Sequence, residues 1–119
     1  MPAKTWQQNM LGITFRYADG RITVFRSALE SIGRPEFYHF LYNSTKQMFA
    51  IQACGMDAEG ANRVPKKNQD DRYEIKSKNL VRLLYQSCGW DRTRSYRLPG
   101  VEYPQQRLVN YDLCRAIPI

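Results

Sequence analysis

An alternating segment at residues 13–25 constrains the fold of this chain more than any other part of its sequence. It reads ITFRYADGRITVF, with two runs of alternating apolar and polar residues on either side of Ala-Asp-Gly. Such alternation is typical of strands that bury one face, and Asp-Gly supplies the positive φ angles of a tight turn. The segment therefore predicts a β-hairpin.

Directly after this hairpin, the spacing of the apolar residues changes to that of a helix. Ala28, Leu29 and Ile32 fall on one face of a helix of about two turns. Ser27 is the expected N-cap, because its hydroxyl can accept a hydrogen bond from an exposed amide, and Gly33 is the expected end. The runs FYHFLY and QMFAIQA, joined by NSTK, then predict a second hairpin.

The same order of elements recurs in the second half of the chain. RYEIK predicts a strand, Ser77 is the candidate cap of a helix, and Gly89 follows the end of that helix. SYRLPGVEYPQQRLVNYDL predicts two more strand runs around a turn with proline and glycine, and DLCRAI predicts a short capped turn. The expected apolar stripe of the helix consists of Leu80, Leu83, Leu84 and Cys88.

The segment between the two halves, residues 55–71, has no periodicity and contains two glycines and a proline, so it predicts a linker. We interpret the flanking parts, about 13–54 and 72–117, as diverged half-repeats. The alternative is a coincidence between two ordinary α+β segments. Because a chain much shorter than about 60 residues buries too little surface to be stable alone, residues 1–119 are expected to form a single domain.

Hydropathy predicts a soluble protein that does not enter a membrane. The sequence is 43% hydrophobic and 24% charged, and no run of about 18 apolar residues occurs in it. The first fifteen residues, MPAKTWQQNMLGITF, lack the apolar core of a signal peptide. A cytoplasmic location is the resulting expectation.

The charge balance favours an acidic partner. The chain carries 18 lysines and arginines against 11 acidic residues, a net charge of +7. Such an excess attracts polyanions such as nucleic acids, although it also serves solubility alone.

The sequence predicts no catalytic function, no metal and no cofactor. Its cysteines, Cys54, Cys88 and Cys114, are widely spaced, and His39 is the one histidine, so neither a zinc site nor a catalytic pair is indicated. The glycine-rich loops of the familiar nucleotide sites are missing as well. The cysteines are therefore interpreted as reduced core thiols.

Two clusters of arginines are the candidate DNA-binding residues. Arg16, Arg21 and Arg26 are expected to be near one another in the first hairpin, where guanidinium groups can bridge phosphates or read guanine edges. The alternative for these three residues is a solvated hairpin edge.

The second cluster lies in the segment WDRTRSYR. It contains Arg92, Arg94 and Arg97, and alternation places the first two on one strand face if the strand begins that early. The cluster is either a rim that contacts phosphates or a set of aliphatic stems that cover Trp90 and Tyr96 as core anchors.

The segment LGITFRYADGRITVFRSALESIGRPEFYHFLYNSTKQMFAIQ resembles the swapped-hairpin DNA-binding module of the AbrB, SpoVT and MazE group, over about a third of the chain. The resemblance places Ile32 and Gly33 at the family's helix end. It implies an α+β fold, namely a small β-barrel of swapped-hairpin type with short helices and two diverged halves in one chain. The protein is then a monomer with pseudo-two-fold symmetry or a homodimer. The Gly-Arg-strand positions of the family are occupied by Gly20, Arg21, Ile22 and Val24.

The same resemblance implies a DNA-binding transcriptional regulator, with arginines near the first hairpin facing double-stranded DNA. Phe25 stands where the family usually has proline, and Leu29 and Glu30 stand where DNA-binding members can carry arginines. These departures favour an alternative function. It is a protein–protein interaction module, or a mobile-element accessory or inhibitor protein, that has lost the DNA face and binds an acidic or nucleic-acid-bound protein.

Overall fold

The computed structural model describes residues 11–119. The prediction about a signal peptide rests mainly on residues 1–10 and so lies outside the described residues. The strands are β1 Ile13–Arg16, β2 Arg21–Phe25, β3 Phe37–Asn43, β4 Met48–Cys54, β5 Asn62–Arg63, β6 Arg72–Lys76, β7 Ser95–Leu98, β8 Gly100–Tyr103, β9 Leu108–Asp112 and β10 Ile117–Pro118. The helices are α1 Arg26–Ser31 and α2 Lys78–Cys88, with short 3-10 turns at Pro104–Gln106 and Leu113–Arg115.

The strands form two five-stranded antiparallel sheets. Sheet A has the order β10-β7-β1-β2-β6, and sheet B has the order β5-β3-β4-β9-β8. The predicted α+β class is confirmed. Each sheet has one unpaired edge strand on either side. The described strands therefore form two open sheets and not one closed ring.

The first hairpin forms as predicted, with Arg16 opposite Arg21 at its turn. Gly20 has a φ of +66°, and a Cβ atom at this position would lie 2.7 Å from the Cα of Lys78. The turn therefore needs glycine for its backbone conformation and for its close contact with the start of α2. The second predicted hairpin is also present as β3 and β4.

The helices end where the sequence predicts, but they do not begin with the predicted caps. Gly33 and Gly89 have φ angles of +91° and +66°, as expected after a helix end. In contrast, α1 begins at Arg26, one residue before Ser27, with no side-chain cap. The N-cap of α2 is Ser77, but its hydroxyl makes no capping hydrogen bond.

The buried face of α2 differs from the predicted stripe. Val81, Leu84 and Tyr85 are buried, whereas Leu83 is 46% exposed. The face is rotated toward Tyr85, whose hydroxyl shares its one proton between the backbone oxygens of Phe15 and Arg94, at 3.1 and 2.6 Å. Burial also raises the pKa of this tyrosine to about 12. The prediction that Leu83 is a core residue is wrong.

The segment SYRLPGVEYPQQRLVNYDL forms three strands, β7, β8 and β9, where two runs are predicted. Strand β7 pairs with β1 in sheet A, whereas β8 pairs with β9 in sheet B. A Cβ atom on Gly100 would lie 2.5 Å from the backbone oxygen of Leu11, so the chain passes between the sheets where only glycine fits. The short turn at Asp112 is confirmed, since its carboxylate accepts from the amide of Cys114 at 3.0 Å.

One hydrophobic core contains residues from both sheets and both helices. Phe15 of sheet A contacts Phe49 of sheet B edge to face, with ring centroids 5.6 Å apart. Trp90 stacks on Tyr96 at 4.8 Å, as expected of core anchors. Because one core supports both sheets, their outer faces are held in a fixed relation to each other.

The connection at residues 55–71 is mostly irregular, as expected of a linker, and contributes only the two-residue strand β5. In sheet B, the hairpins β3–β4 and β8–β9 lie side by side about the β4–β9 pair, an arrangement compatible with half-repeats. Sheet A lacks this symmetry, because β7 pairs with β1. None of the helices in residues 11–119 is long and apolar enough to cross a membrane.

Candidate nucleic-acid interface

The outer side of sheet A is strongly basic. Alternation directs Ile13, Phe15, Ile22 and Val24 into the core, so the intervening residues point to solvent. The strands of this sheet contain one acidic residue, Glu74. We call the outward cationic side chains of these strands the basic face: Arg16, Arg21, Arg72, Lys76 and Arg97.

Distant parts of the chain build this face. Strand β6 adds Lys76 opposite Arg21 and Arg72 opposite Phe25, while β7 places Arg97 opposite Thr14. Arg72 and Lys76 are not among the candidate residues predicted from the sequence. The alternation of RYEIK puts both on the solvent side of a strand, but the neighbour of that strand is set by long-range pairing.

The two arginines at the hairpin turn lie beside carboxylates. Arg16 donates through Nε and Nη2 to the two carboxylate oxygens of Asp19, at 3.1 and 2.6 Å. The Nε of Arg21 lies 3.3 Å from the same carboxylate, and Nη1 lies 3.6 Å from Glu74. The hydrogen bond from Arg16 is the main reason why the pKa of Asp19 is lowered to about 2.

Arg26 does not lie with Arg16 and Arg21. It follows the opposite end of β2, roughly 16 Å from Arg21 at the usual rise of a strand. There it pairs with Asp71 and lies 3.4 Å from Glu30. Lys67 and Arg26 together lower the pKa of Asp71. The prediction that the three hairpin arginines are near one another is wrong for this residue, because the strand between them is extended.

Phe25 stands between two arginines on the basic face. The Cζ atom of Arg72 lies over its ring at 4.8 Å from the centroid, and that of Arg97 lies over it at 5.3 Å. We call these three residues the arginine–phenylalanine cluster. Among residues 11–119, neither arginine forms an ion pair with a carboxylate, and the enclosed Nε of Arg97 has no hydrogen-bond acceptor.

Arg92 and Arg94 precede β7 instead of lying in it, because the strand begins at Ser95. Since Ser95 is opposite Arg16, both arginines lie at the end of sheet A that holds the hairpin turn. Arg92 covers the ring of Tyr17 at 5.5 Å rather than that of Trp90. Both are exposed, so they extend the positive charge beyond the edge of the basic face.

The outer side of sheet B has a different character. Its strands contain one arginine, Arg63, which pairs with Glu36 at 2.8 Å. Val101, Tyr103 and Leu41 are between 40% and 47% exposed on this side. A shallow apolar groove there includes Leu41, Met48 and Leu108. We call these outward residues the apolar face: Leu41, Met48, Val101, Tyr103 and Leu108.

The residues considered for catalysis or metal binding lie apart from the basic face. His39 is on the outer side of β3, and its Nε2 lies 2.8 Å from the side-chain oxygen of Gln52. Cys54 and Cys88 are half-buried and free, and burial raises the pKa of Cys88. Cys114 is exposed, so its assignment to the core is wrong. Within the described range, no three histidine, cysteine or acidic side chains converge.

No family model, curated protein or solved structure matches this chain.

Proposed function

We propose that this protein is a DNA-binding regulator without catalytic activity, located in the cytoplasm, that binds double-stranded DNA through the basic face. The observation that carries the proposal is the collection of five cationic side chains on one side of a sheet whose strands hold a single carboxylate. Lysines and arginines on such a surface neutralise phosphates and release the counterions condensed on DNA.

The proposed mode of binding is positioning by phosphate contacts. Rigid strands fix the spacing of the cationic groups, and Thr23 lies between them with a hydroxyl that can donate to a phosphate oxygen. The exposed Arg92 and Arg94 would extend the contact at one end of the sheet. A swapped-hairpin relation between the two halves is part of this proposal, and the side-by-side hairpins of sheet B support it.

A second candidate function is protein binding through the apolar face. Its support is the exposure of Leu41, Val101 and Tyr103 on neighbouring strands of one sheet. Contiguous exposed apolar residues are typical of protein interaction sites. This candidate is the interaction module predicted as the alternative from the sequence. Its acidic or nucleic-acid-bound partner would contact both the basic face and the apolar face.

The two candidates are separated by duplex binding measured over a series of salt concentrations. Fluorescence anisotropy of a labelled duplex, with unlabelled duplexes of unrelated sequence as competitors, gives the slope of log affinity against log salt. Each phosphate contact should contribute about 0.9 to that slope. Arg97→Ala should lower it, whereas Lys46→Ala, in the turn between β3 and β4, should not. Wild-type protein without salt-dependent affinity for any duplex would remove the DNA-binding proposal in favour of the interaction module.

A further inference from the structure

We infer that the arginine–phenylalanine cluster is a phosphodiester-binding site and the main anchor for nucleic acid on the basic face. This inference rests on the proposed function and deepens it, because it assigns phosphate binding to Arg72 and Arg97 rather than to the arginines of the hairpin turn. The two guanidinium groups lie over one ring, so they are close enough to act on the same segment of backbone.

The geometry of stacking leaves these two arginines available to a ligand. A guanidinium group over an aromatic ring uses its flat face for the contact, whereas its N–H donors point outward in the plane of the group. Phe25 therefore holds Arg72 and Arg97 without accepting from their N–H donors. Because the Nε of Arg97 is enclosed, its Nη groups are the donors that this residue offers to phosphate. A fixed orientation also lowers the conformational entropy that each side chain loses when it binds.

The arginines at the turn differ in this respect. Asp19 occupies the Nε and Nη2 donors of Arg16, which are the donors that would form a two-point contact with phosphate. A phosphate at this residue has to compete with a carboxylate that is already in place. Arg21 also has carboxylates on two sides, Asp19 and Glu74.

The carboxylates nearest in sequence to the cluster have partners elsewhere. Asp71 pairs with Arg26 and with Lys67, the latter at 2.9 Å. Glu74 lies 3.6 Å from Arg21 and accepts from the side-chain amide of Asn68 at 3.1 Å. The positive charge of Arg72 and Arg97 is thus left for an anion from solution.

The test compares Arg72→Ala and Arg97→Ala with Arg16→Ala as the matched control, using duplex anisotropy over a salt series. Each cluster variant should lower the slope by about 0.9, and Arg16→Ala should lower it far less. Phe25→Leu retains both charges but removes the stacking, so it should weaken binding several-fold. Circular dichroism establishes that each variant is folded, and Arg97→Lys replaces Arg97→Ala if the latter unfolds.

A single-stranded oligonucleotide of the same sequence identifies the source of the phosphodiester. Preference for the duplex agrees with the proposed function. Preference for the single strand, with the same loss in the cluster variants, retains the phosphodiester site and overturns the assignment to double-stranded DNA.

NMR of the arginine side chains separates failure of the site from failure of the function. If the wild type binds no nucleic acid, but inorganic pyrophosphate shifts the Nη–H signals of Arg97 in the wild type and not in Phe25→Leu, the anion site stands and the DNA-binding function does not. If the wild type binds DNA and the cluster variants match it, the inference is overturned and the function stands. Absence of both nucleic-acid binding and the pyrophosphate shift overturns both.

Discussion

The two sheets share one core and the same antiparallel construction, yet their outer faces differ in kind. The strands of sheet A carry five lysines and arginines with one glutamate, whereas those of sheet B carry one arginine with Glu102 and Asp112. In both sheets every second residue is fixed by packing, which leaves the alternate positions free for binding. This fold therefore supports two surfaces of different chemistry on one core.

The comparison also separates two kinds of arginine on the same sheet. Arg16 is held by a carboxylate, whereas Arg97 is held by an aromatic ring. Both side chains are ordered by a contact within the protein, but only the second contact leaves the charge uncompensated. At the hairpin turn, the net positive charge is therefore smaller than the number of basic residues suggests. At the arginine–phenylalanine cluster, the net positive charge equals the number of basic residues.

The largest effect is expected from breaking the core that supports both faces. Leu84→Ala should reduce the free energy of unfolding by about 2–5 kcal/mol, because a fully buried side chain is replaced by a cavity. Leu83→Ala, on the exposed side of the same helix, should change it by less than about 0.5 kcal/mol. Urea unfolding of both variants measures these values, and equal effects would contradict the described orientation of α2.

A reversed charge on sheet A should weaken duplex binding. Lys76→Glu places a carboxylate opposite Arg21, so the variant should lose one phosphate contact, about 0.9 in the salt slope, and bind several-fold more weakly. Lys46→Glu makes the same change of charge at the turn between β3 and β4 and serves as the control. If both variants lose affinity equally, net charge alone determines binding and the distinction between the faces is lost.

Removing the carboxylate at the hairpin turn should change duplex affinity less than Lys76→Glu does, and in the opposite direction. Asp19→Asn releases Arg16 and Arg21 from their ion pairs, so duplex affinity at pH 7 should rise and the salt slope should steepen. An unchanged slope in the anisotropy assay would show that these two arginines do not face the DNA.

The same residue predicts a pH dependence of stability. The pKa of Asp19 is lowered from 3.8 to about 2 in the folded protein, so ionised Asp19 stabilises the fold above pH 3.8, and this contribution is lost as the pH falls through about 2. Asp19→Asn should therefore lower the melting temperature slightly at pH 7 and less at pH 2. Thermal unfolding at both values measures the difference, and a constant difference would contradict this origin.

The smallest change in stability and in duplex affinity is expected from a substitution on the outer side of sheet B. Val101→Thr changes an exposed side chain of similar size on an edge strand, so the free energy of unfolding should change by no more than about 0.5 kcal/mol. Duplex affinity should equal that of the wild type, because the residue lies outside the basic face. A loss of duplex affinity comparable with that of Lys76→Glu would show that nucleic acid contacts both sheets.

The elements that depend on neighbouring residues could be predicted from the sequence. Alternation on either side of Asp-Gly predicted the first hairpin, and two runs of strand-forming residues joined by NSTK predicted the second. Glycines with positive φ marked the ends of the helices at Gly33 and Gly89. The caps at Ser27 and Ser77 were less predictable, because a serine near a helix start has a capping side chain only when its local geometry allows it.

The candidate site was only partly predictable, because it depends on which strands are neighbours. Arg16, Arg21 and Arg97 were among the expected residues, and alternation in their strands sufficed to place them outward. Arg72 and Lys76 were missed, because nothing local indicates that β6 lies beside β2. The pairing of β7 with β1 instead of β8 likewise depends on how Tyr96 and Leu98 fill the common core.

The pairing of β1 with β7 determines when sheet A can be completed during synthesis. Ile13 lies opposite Leu98, so β1 lacks one of its two neighbours until β7 has left the ribosome. Domains dominated by such distant pairings fold slowly, in about milliseconds to seconds. Arg97 cannot reach Phe25 before this step, and a nascent chain that displays only the first hairpin has Arg16 and Arg21 on either side of one carboxylate, Asp19. The complete cationic surface is thus a property of the finished protein and not of its first hairpin.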